Sequence, residues 1–177
     1  TFVYSQAVNR TIITRKRALA ALGAVAIAAV VVLAGVAAAV PTGQVLVVED
    51  VDTGEHYVTQ PVANGSTVGL EYMHSVEKTR VYDEYRIEGR TLVNTRMEFE
   101  SYGWGLPSGV NVTNVNGTFV YEPSEPITRL ETLSVSPGRI ANHTLIIDDR
   151  EYDLVAETNA SDVRIHVERR TLRDVFL

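Results

Sequence analysis

From Ala18 to Val40 the chain runs for 23 residues without a charge, every one of them Ala, Val, Leu, Ile or Gly. At about 1.5 Å per residue, a helix of that length crosses a hydrocarbon core about 30 Å thick. No polar stripe breaks the run, so a single membrane-spanning helix is expected rather than a soluble core helix. Arg15-Lys16-Arg17 precedes it and Pro41-Thr42-Gly43 ends it. The positive-inside rule then makes residues 1–17 a basic cytoplasmic tail and places residues 41–177 outside, as one extracytoplasmic domain of a single-pass protein. A cleaved signal peptide is the competing reading, because Ala37-Ala38-Ala39 offers small residues, but the apolar core of such a peptide is shorter, about 7–15 residues. The chain opens on threonine, and its start is expected to be truncated or processed.

The charges divide at the same place. Residues 1–40 carry four basic residues and no acid, and residues 41–177 carry 12 basic against 22 acidic residues, a net of −10. A domain so acidic is a poor partner for nucleic acid, which needs a basic patch to release counterions, and for anionic headgroups. The fourteen arginines against two lysines, together with the surplus of Asp and Glu, resemble proteins of salt-adapted (halophilic) organisms. A GC-rich genome explains the arginines equally well but not the acids. The chain has no cysteine, which removes disulfides, Cys-ligated zinc and thiol nucleophiles.

After Pro41 the continuous apolar run gives way to short alternating segments bounded by Gly, Pro, Asn and Asp, the pattern of an all-β domain. Strands are expected at Val45–Val48, His56–Thr59, Thr67–Val76, Val81–Ile87, Leu92–Phe99, Thr118–Tyr121, Thr132–Val135, His143–Ile147, Tyr152–Val155 and Val163–Val167. These nine or ten strands point to an antiparallel β-sandwich or a partly open barrel. In the last strand, Val163, Ile165 and Val167 share one face, which turns His166 toward solvent. Residues from Arg169 onward read as a short terminal helix or a frayed end. Five Asn-x-Ser/Thr triplets, at Asn64, Asn111, Asn116, Asn142 and Asn159, fall in expected turns. They read either as a glycosylated surface or as the by-product of a composition rich in Asn, Ser and Thr.

The densest chemistry lies between Glu71 and Pro107. On period two, Val68, Leu70, Tyr72, His74 and Val76 share the apolar face of one strand. His74 then reads in two ways. It is a satisfied core histidine tying the strand to its neighbour, or it looks into a ligand cavity with Tyr72 and Tyr85 as walls and Asp83 or Glu84 setting its tautomer. Adjacent strand residues point to opposite faces, which argues against Ser75 and His74 as a nucleophile–base pair and against His74 and Glu77 as metal ligands. His56, His143 and His166 fall singly, and no metal site, cofactor or catalytic residue is assigned. The acidic pairs Asp83-Glu84, Asp148-Asp149 and Glu98-Glu100 read as solvated faces. Gly103-Trp104-Gly105-Leu106-Pro107 sets an aromatic between two glycines. That loop either packs Trp104 into the core or presents it as a lid or a partner contact.

Together, His74-Ser75-Val76-Glu77-Lys78-Thr79, then Val81, Glu84 and Tyr85, then Phe99-Glu100-Ser101-Tyr102-Gly103 and Gly105-Leu106-Pro107 carry a resemblance. They resemble the bacterial and archaeal family called domain of unknown function 1850, in which a His-Ser-Val-Glu-x-Thr segment precedes a Phe-x-Ser-x-Gly-x-Gly-Leu-Pro segment. The resemblance runs from about Val45 to Val167. Two positions depart from it: Arg80 stands where proline is common, and Trp104 where alanine is common. The family has no established activity. Its genes are often found beside those of TAXI-type tripartite (TRAP) transporters, which implies an accessory or binding module serving a permease or its solute-binding protein, with small organic solutes as cargo. On that reading His74, Ser75, Glu77, Glu84, Gly103, Trp104, Gly105 and Pro107 are the binding residues. The alternative is a pilin-like envelope protein, since Arg17-Ala18-Leu19-Ala20 before an apolar helix resembles a class III prepilin cleavage site.

Overall fold

The structure, a computed structural model, describes residues 41–103, 106–107 and 109–171, and at positions 41, 42 and 171 the backbone alone. The apolar run 18–40 with its basic tail, and Trp104 and Gly105, lie outside the described residues. Among the described residues no helix is long and apolar enough to cross a membrane.

The unit Gly43–Arg170 is all-β, with strands twelve in number among the described residues and one short helix. In chain order they are β1 Pro41–Asp50, β2 His56–Val62, β3 Thr67–Met73, β4 Arg80–Glu88, β5 Thr91–Phe99, β6 Thr113–Val115, β7 Thr118–Tyr121, β8 Thr128–Leu130, β9 Thr132–Val135, β10 Thr144–Ile147, β11 Arg150–Asp153, α1 Leu154–Thr158 and β12 Val163–Thr171. One sheet has the order β2-β1-β12-β9, and the other has β11-β10-β3-β4-β5-β7-β6 with β8 beside β5. The long strands of the second sheet pair antiparallel throughout, β10 with β3, β3 with β4 and β4 with β5. Of the outermost strands, β6 has three residues and β9 and β11 four, whereas β2 has seven. In β2 the outer position opposite Val45 is Pro61, which has no N–H to offer a further strand.

Period-two alternation builds the core. Along β4, Val81, Asp83, Tyr85 and Ile87 point inward and Tyr82, Glu84, Arg86 and Glu88 outward. Leu46, Val48 and Val58 of the first sheet share one apolar cluster with Val68, Leu70, Ile87, Leu145 and Ile147 of the second, so the two sheets pack face to face as a sandwich. A smaller cluster forms at one end from Val81, Phe99 and Leu106, and Tyr72 packs against both clusters. Between Glu84 and Tyr85 the β4–β5 register shifts, with Glu84 opposite Arg96 and Tyr85 opposite Asn94. Thr95 is the extra residue of a β-bulge, which keeps Asn94 and Leu92 on the same inner face as Met97 and Phe99.

Several expectations need correction. β3 stops at Met73 instead of running to Val76, because residues 75–77 form a turn. There Lys78 takes φ 55°, and Val76, 67% exposed, leaves the apolar face. The strand expected over Tyr152–Val155 ends at Asp153, whose carboxylate accepts the N–H groups of Val155 and Ala156 and so starts α1. Arg169 and Arg170 continue β12 as strand rather than as helix or frayed end. β6 and β8 have no counterpart among the expected strands. Val163, Ile165 and Val167 do face the core, but His166 on the other face is largely covered, and its Nε2 lies 3.0 Å from the Glu168 carboxylate.

Candidate functional site

The two motif segments meet at the end of the second sheet. Residues 74–79 form the β3–β4 hairpin loop, closed by the His74 N–H donating to the Thr79 carbonyl at 2.8 Å and the Lys78 N–H to the His74 carbonyl at 3.0 Å. His74 is 8% exposed, and its ring folds back over its own turn. Nδ1 accepts the N–H groups of Val76 at 3.3 Å and Glu77 at 3.2 Å, which sets the ring proton on Nε2. Backbone amides, not Asp83 or Glu84, set this tautomer. The histidine is buried, as expected of a core residue, but it secures a turn rather than a strand. In a turn, opposite strand faces no longer separate Ser75 or Glu77 from His74, and it is the backbone that engages Nδ1.

The segment after β5 closes onto this turn. Ser101 and Thr79 join through their hydroxyls at 3.2 Å, and the Gly103 carbonyl accepts the Leu106 N–H at 3.2 Å. A Cβ on Gly103 would lie 3.0 Å from His74 Cε1 and 2.9 Å from Glu77 Cγ. Gly103 is therefore glycine for space, since its backbone is not in the left-handed region. Tyr102 completes an aromatic group with Phe99 and Phe119, at ring distances of 5.3 and 4.8 Å. His74, Glu77, Thr79, Ser101 and Gly103 thus form one packed unit, with Pro107 following the buried Leu106. Glu84 is not brought to it, for it points outward from the middle of β4, opposite Gly69 and Arg96.

Beside the unit lies a cavity of about 330 Å³ lined by Tyr72, His74, Ser75, Leu106, Ala141 and His143 among others. An adjoining cleft of about 240 Å³ shares Tyr72, Met73 and Ala141 and extends to Glu71, Arg80 and Ile140. His143 belongs to this site although its position in the sequence gives no sign of it. The β3–β10 register sets Thr144 opposite Glu71, which carries the preceding residue to Tyr72, and the two rings stack at 5.3 Å and 20°. The Gly138 N–H donates to His143 Nδ1 at 3.2 Å, so its proton also sits on Nε2, and burial pulls its pKa below the usual histidine value. Both imidazoles are held as Nε2–H tautomers along one groove. Among the described residues no group of three or more His, Cys, Asp or Glu is placed to hold a metal ion.

Beneath Tyr72 lies a carboxyl expected on a solvated face. Asp83 is 7% exposed because neighbouring strand residues take opposite faces, and Glu84 takes the outer one. The Tyr72 hydroxyl donates to Asp83 Oδ2 over 3.4 Å, whereas Asp83 Oδ1 and Asn94 Oδ1 are buried with no hydrogen-bond partner. Burial raises the Asp83 pKa to about 6, opposed in part by the nearby Asn94 amide and the Tyr72 hydroxyl. Burial likewise lifts the Tyr85 phenol to about 12 and the Tyr72 phenol above its usual range, the Asp83 charge adding to both. Nor is Glu98 merely solvated. It accepts from Arg80 Nη1 at 2.9 Å and Arg96 Nη2 at 2.7 Å, while Arg80 Nε reaches Glu71 at 2.8 Å. Asp148 accepts from the Thr67 N–H at 2.9 Å and the Ser66 hydroxyl at 3.1 Å.

The five triplet asparagines are all exposed and outside strands. Asn116, Asn142 and Asn159 take φ of 53°, 51° and 51°, a left-handed turn conformation that asparagine tolerates better than most residues. Their backbone gives these three a structural reason independent of any glycan.

No curated protein and no solved structure matches the chain. Residues 68–154 match the model of a family described as domain of unknown function (DUF1850), a shorter stretch than the resemblance from Val45 to Val167 suggested. That stretch holds β3 to β11, the histidine turn, the glycine loop, the Tyr72–His143 wall and the buried Asp83, and it is this part of the chain that belongs to the DUF1850 family.

Proposed function

We propose that this chain is an extracytoplasmic binding module, held at the membrane by residues 18–40, that serves as an accessory component of a TAXI-type TRAP transporter for small organic solutes. One observation carries the reading: the two motif segments, far apart in sequence, pack into a single unit whose outer side is a groove lined by Tyr72, Ser75 and His143. The His143 imidazole, held in one tautomer by a backbone amide, supplies a directed hydrogen-bonding group on a largely apolar wall, an arrangement suited to recognition. Met73, Val76, Tyr102 and Ile140 stand exposed around it, offering apolar area to a partner. The anchor and the transporter come from the apolar run and the family resemblance.

The test uses the full chain with a C-terminal tag, captured from native membranes in mild detergent. Co-purification of a TAXI-type permease or its solute-binding protein is expected. Ser75→Trp, which fills the groove from an exposed position, should abolish it. Recovery of the chain alone, or with its own copies only, overturns the reading in favour of the envelope protein, and a mature N-terminus at Ala18 would strengthen that alternative.

A further inference from the structure

Two carboxyls are buried among the described residues, Asp50 and Asp83, and they are treated oppositely. Asp50 receives the Asp52 N–H at 2.9 Å, the Thr53 N–H at 2.8 Å and the Tyr57 hydroxyl at 2.9 Å, a set of donors suited to an anion. Asp83 receives one long bond of 3.4 Å from Tyr72. Its other oxygen and the oxygen of the adjacent Asn94 are both buried acceptors with no donor. Two acceptors cannot satisfy each other, and each unmet buried polar atom is costly. The Asn94 side chain is near enough to act on the Asp83 carboxyl, and a single hydrogen carried on Asp83 Oδ1 and donated to Asn94 Oδ1 would satisfy both.

The surroundings favour the same answer. The titratable groups facing Asp83 are Tyr72 from β3 and Tyr85 from its own strand, with His74 at the end of β3 and His143 behind Tyr72. β5 contributes Asn94 and Met97. Of the nearest arginines in sequence and register, Arg80 and Arg96 are engaged by glutamates on the opposite face of the sheet, and Arg86 is exposed on that same outer face. Among the described residues no cation stands ready to stabilise a carboxylate there.

We propose that in mildly acidic solution Asp83 of the folded protein keeps its proton, shared with Asn94, and that its loss is transmitted to the groove through Tyr72. Tyr72 is the link because its hydroxyl meets the carboxyl while its ring stacks on His143 in the groove wall. Ionised Asp83 draws the Tyr72 hydroxyl inward, and the ring shifts against His143. The groove therefore has two states, set by proton activity near pH 6, the region to which burial raises Asp83. Only the value of this to a bound partner rests on the binding reading. The proton itself is detectable with nothing bound.

The experiment is a titration of the full chain in detergent micelles from pH 4 to 8, following the Asp83 carboxyl carbon and the His143 ring by nuclear magnetic resonance. The Asp83 signal is expected to inflect near pH 6, with a matching second inflection at His143. Tyr72→Phe should erase the His143 response and leave the Asp83 inflection. Asp83→Asn, whose amide donates to Asn94 in place of the acid, should fold and lack both. An Asp83 carboxylate ionised from pH 4 upward, as an inverted Asn94 amide would allow, overturns the shared proton. A normal Asp83 inflection with an unmoved His143 overturns the transmission. Both results are read on the unmodified chain, so neither depends on a variant folding.

Discussion

At position 103 a hydrogen atom is all the space permits. A methyl group there would meet the His74 ring at 3.0 Å and the Glu77 stem at 2.9 Å, and the buried imidazole, bonded to two amides of its turn, cannot swing away. Gly103→Ala should therefore cost about 1–3 kcal/mol, read as a lower denaturant midpoint with an unchanged slope. Asp83 gives a second expectation at this scale. Its carboxyl titrates at about 6 folded against 3.8 as a free side chain, so between about pH 4 and 6 the folded state holds a proton that the unfolded state has released. Stability falls as pH rises through that window, by about 3 kcal/mol in all. Asp83→Asn should flatten this slope in denaturation series at pH 4, 5, 6 and 7. Asp50, held below the usual carboxylate range chiefly by the Thr53 N–H, acts in the opposite sense and only in stronger acid. The burial of His74 was legible from period two, although the strand itself ends one residue earlier. The acidity shift of Asp83 was not, because Asp83-Glu84 looks like any charged pair until the strand assigns one member to each face.

At the scale of elements, α1 shows where alternation misleads. Tyr152 and Leu154 sit two apart, as in a strand, yet Asp153 caps the next turn with its carboxylate and Asn159 closes it at φ 51°. Both signals are present in the sequence, but five residues are too few for helical periodicity to compete with the strand pattern. Asp153→Ala should cost about 1 kcal/mol, and Leu154→Ala, which empties a fully buried position, about 2–5 kcal/mol. Equilibrium unfolding of the two single variants separates cap from core. The long strands β3, β4 and β5 were legible within a few residues because one face is buried. β6 and β8, at three residues each, carry no full period to read. The Thr95 bulge was equally hidden, since an extra residue leaves no mark on composition and shows only as a register shift against Glu84 and Tyr85.

For the whole molecule, the surplus of acid is the property that meets the solvent. With a formal charge of −6 for the chain and the arginines near Glu98 already engaged, much of the remaining negative charge among the described residues is exposed and outside any ion pair. Raising salt from about 0.1 to 1 M shortens the screening length from about 10 to 3 Å and should raise the melting temperature of the full chain by several degrees. A fall on adding salt would show instead that the Glu71–Arg80–Glu98–Arg96 ladder dominates. The all-β, antiparallel class was legible from turn chemistry and alternation, which left a sandwich and a partly open barrel as alternatives. The division into sheets of four and eight strands was not, because the partner of β12 across the chain is a strand more than a hundred residues earlier. The margins of those sheets bear on how many copies can live side by side. Three- and four-residue strands at three of the margins, and a proline that interrupts the seven-residue β2, leave a newcomer little ladder to extend. Molecules crowded together on one surface would thus stay separate individuals, and any fellowship between them would have to be made by loops.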